Sequence, residues 1–198
     1  DVLYSYGIAD NTTFETEFCY RYQCSAHLYD HTINQLPYCL PTFKFHKEGI
    51  GTSKTHELNT LMSHIQKNND TNKDMVLKMD VVGAEYEALL ATPNHVLQKF
   101  SQIAIELHGI DNIESEQEYQ LRCDFFDKMN KLFFLYHAHY NNYDHTIVKY
   151  GYNITQTIEV TFVNRNLKDL APIKHAQPLP RAQDRHCKPN RMTHNLAY

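Results

Sequence analysis

The sequence predicts an α/β domain, a mostly parallel sheet with helices on both faces. Three observations carry that prediction. Strand-like runs alternate with helical stripes along the chain, as crossover connections require. The runs at 75–81 and 102–108 are nearly continuously apolar, as strands covered on both faces are. The length, 198 residues, fits one domain of ordinary size.

The first strand is expected at 2–8 (Val-Leu-Tyr-Ser-Tyr-Gly-Ile), followed by a polar turn. Asn11 to Thr13 then offer N-caps to a helix carrying Phe14, Phe18 and Tyr22. Residues 24–30 read as a second strand ending in an acid, and the alternation at 42–46 as a third, closed by Gly49 and Gly51. Leu58, Leu61, Met62 and Ile65 fall on one helical stripe. After the strand at 75–81 comes a helix from Gly83, and Pro93 is placed for the first turn of a short one. The strand at 102–108 leads to a helix over 115–132 with Leu121, Phe125, Met129 and Leu132 on its apolar face. Strands near 134–140 and 157–163 complete the set, with a small hairpin around Gly151 between them.

Composition excludes several classes. Apolar residues are 42% and charged residues 21%, so the chain is not disordered, and its longest apolar runs are too short to span a bilayer. Net charge is −4, yet residues 165–198 hold seven Lys/Arg against Asp169 and Asp184, which leaves the preceding body strongly acidic. That body does not suit a nucleic-acid partner. The division expected is a domain over 1–164 and a basic C-terminal extension, 165–198, packed on it. Five cysteines without metal-type spacing read as reduced thiols, which points to the cytoplasm. Oligomeric state is not legible.

In parallel sheets ligands bind at the carboxyl ends of the strands. The polar residues there are Ser5 and Gly7, Asp30, His46, Asp80, Glu106 and His108, and His137 and His139. Asp30 lies 23 residues after Gly7, an arrangement suited to holding an adenosine ribose. A single glycine near the first turn argues against a pyrophosphate cradle.

The run Lys-Met-Asp-Val-Val-Gly-Ala-Glu at 78–85 resembles the corresponding segment of FkbM-type, methyltransferase-like S-adenosylmethionine-dependent methyltransferases. The order around it also matches: the Tyr-Ser-Tyr-Gly-Ile-Ala-Asp opening with Phe14 and Glu15, Tyr29 and Asp30, residues 49–51, residues 105–108, and the segments 137–142 and 157–164. Val82 departs from the Glu usual in that family, and the first motif has fewer glycines. The resemblance implies a Rossmann-like class I methyltransferase fold, a seven-stranded mostly parallel sheet in the order 3-2-1-4-5-7-6 with the seventh strand antiparallel. It implies S-adenosyl-L-methionine as cofactor, held by Ser5, Gly7, Asp10, Asp30 and Asp80.

The activity so implied is O-methylation of a small hydroxylated acceptor, a sugar or glycan unit among the candidates. Methyl transfer requires alignment and removal of the acceptor's proton, and Asp80, His108 and His139 are the catalytic candidates. A divalent metal on Asp80, Glu106 and the histidines is a further reading but not the favoured one, because 13 histidines make an alternating pair unremarkable. Two competing readings are a catalytically silent scaffold that binds a partner at the same edge, and a metal-dependent enzyme.

Overall fold

A computed structural model describes residues 1–143, 146–167, 184 and 187. Its elements run β1 (Val2–Tyr6), α1 (Thr13–Tyr22), β2 (Ser25–Tyr29), β3 (Phe43–His46), β4 (Gly49–Ile50), β5 (Leu58–Asn59), α2 (Leu61–Lys67) and β6 (Met75–Met79). They continue as α3 (Glu85–Ala91), α4 (Asn94–Leu97), β7 (Phe100–Leu107), α5 (Glu116–Leu132), β8 (Phe133–Tyr140), β9 (Thr146–Lys149), β10 (Tyr152–Thr155) and β11 (Ile158–Asn164).

Seven strands form one mixed sheet in the order β3-β2-β1-β6-β7-β11-β8. Numbered along the chain, these seven stand 3-2-1-4-5-7-6. Strands β1, β2, β3, β6 and β7 pair in parallel, while β11 runs antiparallel to both of its neighbours. Two small ribbons lie outside the main sheet: antiparallel β9–β10, and parallel β4–β5.

The sheet buries both faces because its strands alternate two apolar sets. Tyr4, Tyr6, Leu77, Met79, Ile103 and Ile105 join a core shared with Leu61 and Ile65 of α2, Leu89 of α3 and Phe125 and Met129 of α5. Leu3, Ala26 and Leu28 on the opposite face meet Cys19 of α1. Helix α1 therefore covers one face, and α2, α3, α4 and α5 supply the other core. Helix starts follow capping chemistry: Thr60 Oγ1 accepts from Ser63 N and Ser115 Oγ from Glu118 N. All five cysteines are free.

The structure settles two details left open by the sequence and shifts one expectation, that for Leu58. Phe14 and Tyr22 of α1 face solvent, and the buried positions are Glu15 and Cys19. Leu58 belongs to β5 rather than to a helix, so the buried stripe of α2 is Leu61, His64 and Ile65. Asn11, not Thr12, braces the start of α1, its Oδ1 accepting from Thr13 N at 2.9 Å. Most of the C-terminal extension lies outside the described residues. Of its described members, Arg165 lies 3.9 Å over the Phe134 ring, and Asp184 Oδ1 is 2.8 Å from His137 Nε2. Among the described residues no helix is long and apolar enough to cross a membrane.

Candidate active site

The strand order reverses between β1 and β6, and at their carboxyl ends lies a cavity of about 680 Å³. Gly7, Ile8, Ala9, Asp10, Asp30 and Asp80 are among the residues that line it. Gly7 is required there. Its φ is +75°, and a Cβ at that position would stand 1.6 Å from the Asp80 carbonyl oxygen, so only glycine lets β1 leave the sheet against β6. Lys78 Nζ fastens the same turn by donating to the Gly7 carbonyl at 2.6 Å.

Asp30, the residue expected at the ribose, lines the cavity and is held by the loops beside it. One oxygen accepts from Ile8 N and Ala9 N, each at 2.9 Å; the other accepts from Thr32 N at 2.8 Å and Thr32 Oγ1 at 2.6 Å. Four donors fill the acceptor capacity of a carboxylate. Burial alone would raise its pKa, but the hydrogen bonds from Thr32, Ala9 and Ile8 prevail and lower it. Asp30 thus clamps the β1–α1 loop and shapes the cavity. Ser5 is fully buried in β1, and its Oγ donates to Glu15 Oε1 at 2.5 Å, facing α1. Gly7, Asp10, Asp30 and Asp80 all stand on the cavity wall.

Asp80 is also one of a trio. Ligand atoms of Asp80, Glu106 and His108 lie within 4.8 Å of one another. Glu85, wholly buried at the start of α3, holds His108: its Oε1 accepts from His108 N at 2.8 Å and lies 3.0 Å from Nδ1, while its Oε2 accepts from Gly83 N at 2.6 Å. That bond assigns the proton to Nδ1 and leaves Nε2 facing Asp80 Oδ1, 3.8 Å away. Burial works against protonation of His108, but Glu85, Glu106 and Asp80 outweigh it and raise its pKa. Glu106 is pushed up to about 7, first by burial and then by the charge of Asp80.

His139 does not join this trio. Strand β11 separates β7 from β8, and the register sets Glu159 directly between Glu106 and His139. His139 Nδ1 lies 3.7 Å from Glu159 Oε2, and that contact raises its pKa against the opposing effect of burial. The expectation that Asp80, His108 and His139 cluster holds for the first two only, because their strands are neighbours and the third is one strand removed. Glu159 was missed as a neighbour of the site, while Glu85 braces the loop and Asn141 holds Glu106 rather than only turning the chain. Asn141 Nδ2 donates to Glu106 Oε1 at 2.6 Å. The available signal was the alternation of Glu106 with His108, which puts both on one face.

No family model matches the chain, and no curated protein matches it. Among solved structures it is similar to a mutant of the 16S rRNA (adenine(1408)-N(1))-methyltransferase from Catenulisporales acidiphilia, at 11% identity and a TM-score of 0.39, over 82% of this chain and 87% of that one. A likeness of that size carries no argument about function.

Proposed function

We propose that the chain is an S-adenosyl-L-methionine-dependent O-methyltransferase of Rossmann-like class I architecture, acting on a small hydroxylated acceptor such as a sugar or glycan unit. The observation that carries this reading is the position of the cavity. It opens where the strand order reverses, the place where sheets of this kind take ligands, and Asp80 joins it to an acid–imidazole cluster. The resemblance of residues 78–85 to the methyltransferase segment supplies the cofactor.

In this reading Gly7, Ala9 and Asp10 would hold the cofactor, with Asp80 beside them on the same wall. The β1–α1 loop that receives it is held by Asp30. The acceptor hydroxyl sits at Asp80, Glu106 and His108. The cofactor would supply the methyl group and leave as S-adenosylhomocysteine, while Asp80, Glu106 and His108 would take the proton that the acceptor oxygen gives up. Most of the protein's contribution is alignment, since in-line displacement needs little else.

Isothermal titration with S-adenosylmethionine and S-adenosylhomocysteine tests the reading. Saturable binding of both, weakened in Asp80→Ala, is expected. No heat at millimolar cofactor from a folded protein would overturn it and favour a silent scaffold.

A further inference from the structure

The carboxyl edge of the sheet carries more negative charge than a methyl acceptor needs. Glu106 and Glu159 are direct cross-strand partners, and Asp80 follows Met79, whose partner Ile105 precedes Glu106. Three carboxylates therefore stand side by side on one face of three adjacent strands. Like charges directly opposite destabilise a sheet, and a bound cation would offset that cost. Lys78, on the same face of β6, directs its ammonium to the Gly7 carbonyl instead.

Two further details give the row the character of a metal site. Asp80, Glu106 and His108 offer two carboxylate oxygens and one imidazole nitrogen within 4.8 Å, a spacing that one ion can bridge. Behind them the buried Glu85 carboxylate engages His108 Nδ1 at 3.0 Å and leaves Nε2 for a ligand. Metal-binding histidines are regularly oriented by a carboxylate on the other nitrogen in this way. Asn141 fixes the Glu106 carboxylate from the far side at 2.6 Å.

We infer that Asp80, Glu106 and His108 bind a divalent first-row cation, with Glu85 as the positioning residue for His108. Carboxylate and imidazole together suit manganese or iron(II) better than calcium. Three protein ligands leave coordination positions for water or for oxygens of a bound molecule. Asp80, shared with the cavity wall, sets the ion beside the cavity. With the ion in place His108 serves as a ligand, and loss of the acceptor's proton is assisted by the cation's charge. The binding site itself stands without the cofactor reading.

The test uses the chelator-treated protein and Mn²⁺ alone, with free Mn²⁺ read by electron paramagnetic resonance. One site that fills below about 1 mM is expected. Glu106→Gln and His108→Ala should each weaken it at least about tenfold, and Glu85→Gln should weaken it while leaving the ligands in place. Proton NMR of the wild type guards against variants that fail to fold. Substoichiometric Mn²⁺ should broaden the His108 ring signals before those of His95, which lies on α4. Absence of binding at about 1 mM Mn²⁺, broadening that spares His108, or affinity unchanged in folded Glu106→Gln would each overturn the site. Mn²⁺ binding without cofactor binding would retain it and remove the methyltransferase; the converse would do the reverse.

Discussion

His27 should be an acid-sensitive element of the core. It is 2% exposed in β2, with Nε2 3.0 Å from Asp70 Oδ2 and Nδ1 2.9 Å from His46 Nε2. Burial lowers its pKa from 6.5 to about 4; Asp70 opposes that, while His46, Lys44 and Lys73 reinforce it. The unfolded chain accordingly takes up this proton first. Stability is complete above pH 6.5 and drains away as pH falls toward 4. At about 1.4 kcal/mol per tenfold change in proton affinity, the loss reaches roughly 3 kcal/mol. Other groups titrate in the same window. His64 and His46 have lowered pKa values and add losses, whereas Glu106, His108 and His139 have raised ones and offset them. The assay is therefore a difference: urea unfolding of wild type and His27→Gln at steps from pH 7 to 4.5. The variant will be the less stable at pH 7, and its deficit should shrink by most of that 3 kcal/mol at pH 4.5. A deficit independent of pH would refute the assignment of a neutral, buried His27.

Gly7→Ala should cost about 3 kcal/mol or more, or prevent folding, because the added Cβ meets backbone rather than a movable side chain; a melting temperature within a few degrees of wild type would contradict the tight β1 exit. Asp30→Asn replaces one of two fully used acceptor oxygens with a donor. It should cost about 3 kcal/mol and expose the β1–α1 loop to limited proteolysis, with unchanged cleavage as the contrary result. Val82, 77% exposed, holds a φ of +43° that a β-branched residue resists. Val82→Asn, which tolerates that conformation, should gain about 1 kcal/mol in chemical unfolding, and a loss would show that the valine side chain has a contact to keep.

The strands were legible because alternation and continuous apolar runs are local properties of the chain. Every strand of the main sheet begins within two residues of its expected start, as 102–108 against Phe100–Leu107 illustrates. Side-chain environment was harder to read. Of the three aromatic residues of α1, Phe18 packs against the core while Phe14 and Tyr22 flank it at the surface, and Glu15 turns inward to Ser5. A buried acid with a buried hydroxyl partner leaves no periodic trace. The ribbon of β4 and β5 was missed because two-residue strands offer no pattern at all.

The site shows the same division between local and long-range information. Asp80, Glu106 and His108 could be named from strand ends alone, but their significance lies in register. A slip of one residue between β6 and β7 would send Glu106 to the apolar face and separate it from Asp80. Met79 opposite Ile105 and Leu77 opposite Ile103 hold that register through the buried core. Along β7 the residues Ile103, Ile105 and Leu107 pack the core, and the intervening Ala104 and Glu106 face the other way. The same alternation that fills the interior thus lines up Asp80, Glu106 and Glu159 at the sheet's edge. Asp30 demonstrates the complementary case. Its place at the end of β2 made it a ligand contact on pattern alone, but four donors from Ile8, Ala9 and Thr32 reach it first. A strand-end acid is free for a ligand only where the neighbouring loop leaves its oxygens unclaimed. By that criterion Asp30 is committed to the β1–α1 loop even as it lines the cavity.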